Sequence, residues 1–143
     1  MATQVLLRLY HYTRKKDYLK MAEKVLRLYY DGMGRQPFGF AHMFCTLDFY
    51  LERPKEIFLV GKRDDPAQQE LIKKIHALYL PNKTLRAIEP GEPSEKNSPL
   101  LEGKIQVGGK PTVYVCHNFT CSLPVTEWKD LKELLEAEIE RHE

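Results

Sequence analysis

The stretch that decides the fold is KEIFLVG, residues 55–61. Its centre is almost continuously apolar and it ends in Gly, which is typical of a strand buried on both faces of a sheet. Asp65 and Pro66 follow shortly after, and they suit the N-cap and the first position of a helix. The sequence therefore predicts an α/β unit that begins here with a strand, a short loop and a helix.

The residues that follow extend this unit by a helix and a second strand. The helix is predicted from an apolar stripe that ends before Pro81, and the stripe consists of Leu71, Ile72, Ile75, Leu78 and Tyr79. A strand is predicted over residues 83–88. Because a strand, helix and strand in succession nearly always cross over right-handed, the two strands are expected to be parallel.

The last third of the sequence predicts one more strand and one more helix. Residues 90–109 are rich in Pro, Gly, Ser and charge, and they are interpreted as a mostly exposed loop held down by Leu100 and Leu101. A third strand is predicted over residues 110–116. Thr126 is expected to cap a final helix whose apolar positions are Trp128, Leu131, Leu134, Leu135 and Ile139. The predicted fold class of residues 54–143 is α+β or α/β, a small three-stranded, largely parallel unit in the order β-α-β-β-α.

Residues 1–53 have helical periodicity instead. Apolar residues recur at helical spacing over residues 5–12, and again over residues 18–29 after a polar break. A third helix is predicted after Pro37 and ends before Pro54. Three amphipathic helices have too little material here to cover their apolar stripes. We therefore expect this segment to pack on the remaining domains of a longer chain, or to self-associate through the same helices.

Composition narrows the class of protein. The chain has 143 residues, of which 43% are hydrophobic and 29% charged, as in ordinary globular proteins. A formal net charge of +2 is too small to favour a nucleic-acid partner. No apolar stretch approaches the roughly 18 residues of a membrane span, and the first residues do not form a signal peptide. The expected location is the cytoplasm, without a membrane or nucleic-acid partner.

The segment with most chemical content is YVCHNFTCSLP, residues 114–124, because it places two thiols near the end of a predicted strand. Three interpretations remain open. Cys116 and Cys121 could form a redox pair, although the spacing differs from that of thioredoxins. They could bind a metal with His117, although neighbours on a strand point in opposite directions. They could also be small buried hydrophobic residues around a tight turn.

Other candidate residues are fewer and more scattered. His42 lies on the third predicted helix and could line a cleft, although a lone helical His is more often a packed or surface residue. Gly61, His117 and Asn118 follow predicted strands, so a small-ligand site, related to sugars, could form where the strands end. The sequence predicts no metal site and no cofactor.

Two segments resemble a known family. YLPNK at residues 79–83 and TVYVCHNFTCSLPVT at residues 112–126 are similar to the carboxyl end of the thioredoxin-domain-containing, spermatogenesis-associated protein family and its bacterial relatives. The resemblance implies a longer protein with a thioredoxin-like domain, an (α/α) toroid similar to six-hairpin glycosidases and sugar epimerases, and this α/β tail. Residues 1–53 would then be the end of the toroid.

The function expected from the sequence is that of an accessory module at the C-terminal end of such a protein, not catalytic alone. One alternative is a redox module that uses Cys116 and Cys121. Another is small-ligand binding at the carboxyl ends of the strands. Fold by itself does not choose among them.

Overall fold

The computed structural model describes residues 1–91, 100–118 and 120–136. It divides into two compact units, one ending at Pro54 and one beginning at Lys55, one residue later than the boundary expected from the sequence. Residues 92–99 of the predicted loop, Phe119 of the cysteine segment and Ile139 of the predicted last helix lie outside the described residues. In the part of the chain that is described, no helix is both long and apolar enough to cross a bilayer.

The first unit, called here the helical unit, contains three α-helices, in agreement with the sequence. They are α1 (Ala2–Thr13), α2 (Lys16–Arg35) and α3 (Ala41–Glu52), and a 3-10 turn at Pro37–Phe40 precedes α3. The polar break ends α1 through Arg14, which adopts the left-handed conformation with φ 57°. Its backbone N–H donates to the Tyr10 carbonyl at 2.7 Å, which satisfies an otherwise open helix end.

The buried core of the helical unit is small. Leu7, Ala22 and Phe49 are almost completely buried, one on each helix. Large apolar side chains on the same helices remain exposed, among them Leu28 at 73% and Tyr30 at 71%. The others in this unit are Met1, Val5, Met21, Tyr29, Phe38, Phe44 and Leu51. The helices therefore bury one apolar face and leave others uncovered.

In its described residues the second unit, called here the sheet unit, has a four-stranded sheet and two helices. Its strands are β1 (Lys55–Val60), β2 (Lys83–Ile88), β3 (Thr112–His117) and β4 (Thr120–Cys121), and its helices are α4 (Pro66–Ala77) and α5 (Trp128–Glu136). The strand order is β2-β1-β3-β4. The pairing of β1 with β2 is parallel, as predicted. Asp65 caps α4 by accepting a hydrogen bond from the Ala67 N–H at 2.9 Å, also as predicted.

The predicted three-stranded, largely parallel arrangement is wrong in two respects. β3 is antiparallel to β1, and a short fourth strand, β4, pairs antiparallel with β3. The chain leaves β2 at the end of the sheet where Ile88 pairs with Val60, and it enters β3 at the same end, where Thr112 pairs with Val60. A connection that returns to the end it left can only begin an antiparallel strand. A loop of this length was compatible with either direction.

The two faces of the sheet have separate cores. One face, the helix face, packs against α4 and α5 through Ile57, Leu59, Leu71, Ile75, Leu80, Val113, Val115, Leu131 and Leu135. The other, the loop face, is covered by the segment from residue 100 to 107 and consists of Phe58, Val60, Ile88, Leu101, Tyr114 and Cys116. Leu101 is 2% exposed, which confirms its predicted role in holding the loop down. The Tyr114 hydroxyl also donates to the Ile105 carbonyl at 2.8 Å, and so fixes this segment to β3.

Two lysines connect the strand ends to the helices. Lys55 and Lys83 are neighbours in register at the start of β1 and β2. Lys55 Nζ donates to the Leu135 carbonyl in α5 at 3.0 Å, and Lys83 Nζ donates to the Ile75 carbonyl in α4 at 3.1 Å. Lys83 thereby reaches the C-terminal end of α4, where an ammonium group is favourable because the last carbonyls of a helix have no intrahelical partner.

α5 begins at Trp128, so Glu127, not Thr126, immediately precedes it. The Glu127 carbonyl accepts the Leu131 N–H at 3.2 Å, as the residue before a helix does. Thr126 instead follows Val125, which forms an isolated antiparallel bridge with Val113.

Gly61 lies at a close approach between β1 and α4. It is buried, and a Cβ at this position would overlap the Gln68 Oε1 atom and lie 3.4 Å from the Cα of Pro111. Gln68 is itself 2% exposed, and its Oε1 accepts no hydrogen bond from any described residue. The space beside Gly61 is therefore filled by a side chain that cannot swing into solvent.

We expect Gly61→Ala to lower the free energy of unfolding by about 1–3 kcal/mol, the usual cost of adding a methyl group to a packed interior. Urea unfolding measures it. The control is Gly34→Ala on α2, where a Cβ would meet nothing within 4 Å; it should be neutral or stabilise by up to about 1 kcal/mol. Equal stability of Gly61→Ala and the parent chain would contradict this packing.

Candidate functional site

The site with the clearest chemistry is the β3–β4 hairpin. Cys116 on β3 pairs with Cys121 on β4, and their sulfurs are bonded at 2.06 Å. The Ser122 N–H donates to the Val115 carbonyl at 2.8 Å, so Val115 and Ser122 form a hydrogen-bonded pair of the ladder. The cysteines, one position further along, form a non-hydrogen-bonded pair, the kind in which the two Cα atoms are closest. Their Cα atoms are 3.9 Å apart. The strand pairing thus places the two cysteines opposite each other, where their sulfurs can bond.

The two cysteines differ in environment. Cys116 is 3% exposed and belongs to the core of the loop face, whereas Cys121 is exposed on the edge strand β4. The interpretation of both cysteines as small buried hydrophobic residues is therefore wrong for Cys121. Cys116 and Cys121 also cannot bind a metal as thiolates while their sulfurs are bonded to each other, because the thiolate is the form of cysteine that binds metals. The remaining cysteine, Cys45 on α3, is exposed and is not in a disulfide.

Asn118 forms the turn of this hairpin. Only residues 118 and 119 separate the paired residues His117 and Thr120. Asn118 has φ 50°, in the left-handed region that Asn tolerates better than most residues. Two-residue hairpin loops favour such residues because their backbone follows the twist of the strands. This gives Asn118 a structural role, whereas the sequence suggested a ligand-binding one.

A carboxylate and an amine share the loop face with Cys116. Glu56 on β1 is in register with Cys116 and is 6% exposed. Lys104 Nζ donates to the Leu100 carbonyl at 2.7 Å and lies 4.8 Å from the centre of the Phe58 ring. Burial lowers the pKa of the Lys104 amine, and the charge of Glu56 partly opposes this shift. The buried end of the disulfide thus lies in an apolar core, with Glu56 opposite it on the neighbouring strand.

The remaining candidates do not come together. Gly61 follows the end of β1, whereas His117 and Asn118 follow the opposite end of the sheet, because β3 is antiparallel to β1. Six residues of strand separate these ends, about 20 Å at the usual rise. His42 belongs to the helical unit, where it is exposed in the first turn of α3. A single small-ligand site formed by Gly61 and the residues after Cys116 is therefore excluded.

Sequence reasoning missed Glu56 and Lys104. Glu56 stands at the start of an apolar run, where a charged residue normally faces solvent, and Lys104 lies in a segment predicted to be a mostly exposed loop. The only available signal was the alternation in β1 that puts Glu56 on the same face as Phe58. Even with this signal, Glu56 can be placed opposite Cys116 only when the direction of β3 is known.

We expect Asn118→Gly to leave the melting temperature nearly unchanged, because Gly adopts a positive φ without steric cost. Asn118→Val should destabilise the sheet unit by about 1–2 kcal/mol, since a β-branched side chain clashes in this conformation. Thermal unfolding of the oxidised variants provides the comparison. If valine were tolerated as well as glycine, the conformation of the turn would not depend on residue 118.

Comparison with known proteins finds relatives that are much longer than this chain. Spermatogenesis-associated protein 20 of Homo sapiens and that of Mus musculus are each 31% identical to it over 133 residues, or 91% of the chain. An uncharacterized protein of Caenorhabditis elegans is 26% identical over 133 residues, or 93% of the chain. No protein-family model and no solved structure matches. The chain spans only about 17% of the length of the mammalian relatives, so it is similar to one part of spermatogenesis-associated protein 20.

Proposed function

We propose that this chain is an accessory module at the C-terminal end of a longer protein, and that its helical unit packs on helices elsewhere in that protein. The observation that carries the proposal is the set of large apolar side chains left exposed on α1, α2 and α3. The mammalian relatives are more than five times as long as this chain, so the missing helices can come from the rest of such a protein. From the family resemblance we further propose that these helices form a toroid like that of six-hairpin glycosidases, preceded by a thioredoxin-like domain.

A groove between α2 and α3 is the part of this surface on which we propose that a helix packs. Two adjoining hollows of about 600 and 340 Å³ share Tyr30, Met33 and Leu47 as lining residues. Met33 is buried at the floor, while Tyr30 is largely exposed at the rim. An apolar floor of this kind accepts the apolar side chains of an amphipathic helix.

Charged residues follow the groove along α2. Glu23, Arg27, Asp31 and Arg35 succeed one another at every fourth position, with alternating sign, and all four line one of the two hollows. Tyr50 Oη donates to Glu23 Oε1 at 2.9 Å, and this hydrogen bond raises the pKa of the Tyr50 hydroxyl. Such a row favours a partner helix with complementary charges beside its apolar stripe. The groove thus has the two features that fix the position of a docked helix.

We expect the isolated chain to self-associate or bind a hydrophobic dye through this surface, because its natural cover is outside the chain. Tyr30→Ser should weaken that association about tenfold, the equivalent of one large side chain left unburied. Analytical ultracentrifugation and dye fluorescence measure it. Tyr79→Ser is the matched control, since Tyr79 is 87% exposed but lies in the sheet unit.

Two results would contradict the proposal. One is a chain that stays monomeric at high concentration and binds no dye. The other is an equal effect of Tyr30→Ser and Tyr79→Ser, which would show that the association does not depend on the groove.

A second candidate function is a redox module, and the observation that favours it is the bond between Cys116 and the exposed Cys121. Disulfides that are accessible to reductants are more often catalytic or regulatory than purely structural. A cytoplasmic location, also a proposal, agrees with this role, because disulfides in reducing compartments are usually transient.

In a Cys45→Ser background, a mild dithiol should raise the number of reactive thiols by the two that come from Cys116 and Cys121. Oxidised glutathione should remove them again, over repeated cycles, while circular dichroism shows a folded chain. Thiol counting with an aromatic disulfide reagent follows the cycle. Loss of the fold on reduction, or failure of the bond to form again, would exclude a redox function.

A further inference from the structure

The two cysteines of the hairpin disulfide differ in their exposure to solvent. Disulfide exchange requires a thiolate to reach one sulfur of the bond while the other sulfur leaves. Cys121 is exposed on β4, which is an edge strand of the sheet. Cys116 is 3% exposed among the core residues of the loop face. A reagent in solution can therefore reach Cys121 in the folded protein, whereas it reaches Cys116 only after local opening.

We propose that a dithiol reductant opens this disulfide by attacking Cys121, so that Cys116 is the sulfur that leaves into the loop face. The proposal rests on the redox function put forward above and assigns a distinct role to each cysteine. Cys121 is the residue that forms the mixed disulfide with a partner, and Cys116 is the resolving residue that closes the bond again.

The reaction balances in two steps. In the first, a thiolate of the reductant bonds to Cys121 Sγ while the bond between Cys121 and Cys116 breaks, and Cys116 keeps the electron pair as a thiolate. In the second, the other thiolate of the reductant displaces Cys121 and closes the reductant's own disulfide. The two protons released by the reductant end on Cys116 and Cys121. The reductant is oxidised by two electrons, and the chain gains two thiols.

The test traps the first intermediate. The oxidised Cys45→Ser chain is incubated with glutathione, a monothiol, quenched with acid and mapped by peptide mass spectrometry. We expect adducts on Cys121 to outnumber those on Cys116 at least about tenfold, because Cys116 reacts only from locally opened molecules. The same incubation in urea is the control, and there adducts should appear on both cysteines.

Two other outcomes would overturn the proposal, and they can be told apart. Adducts mainly on Cys116 of the folded chain, together with a reversible thiol cycle, would reverse the two roles but leave the redox function standing. If the folded chain forms no adduct while the urea control does, both the assignment and the redox function fail.

Discussion

The sheet unit depends on the burial of β1 on both faces. Its side chains alternate between the two faces of the sheet. Ile57 and Leu59 pack on the helix face, and Phe58 and Val60 pack on the loop face, under the segment from residue 100 to 107. A strand with two apolar faces is stable only if both are removed from water. The fold meets this requirement with α4 and α5 on one face and with an irregular segment, anchored by Leu101, on the other.

The same requirement is not met within the helical unit. Its core of Leu7, Ala22 and Phe49 uses one side of each helix, and side chains such as Leu28 and Tyr30 remain in contact with solvent. The contrast between the two units is what supports the proposed role as part of a longer protein. One unit buries both faces of its central strand, although Tyr79, Leu123 and a few other apolar side chains remain exposed there. The other presents a groove with a charged row beside it.

Sequence patterns predicted the elements better than their arrangement. Periodicity and end signals such as Asp65 located all five described helices and three of the four strands, since these signals are local. The direction of β3 depends on the end of the sheet at which the chain enters it after β2, and no local sequence pattern indicates that end. For the same reason the two cysteines were singled out without a decision on their pairing, and the neighbourhood of Glu56 and Lys104 and the separation of Gly61 from His117 were not predicted.

The lysines at the strand ends make the sheet unit depend on its helices. Lys55 and Lys83 are side by side in register, and like charges at such positions repel. Each ammonium group donates a hydrogen bond to a carbonyl of α5 or α4. If either helix detached, an ammonium group would lose this hydrogen bond beside another positive charge, and pairing of the two strands would weaken there. Helix detachment and strand separation are thus linked, which favours a single cooperative unfolding transition for this unit.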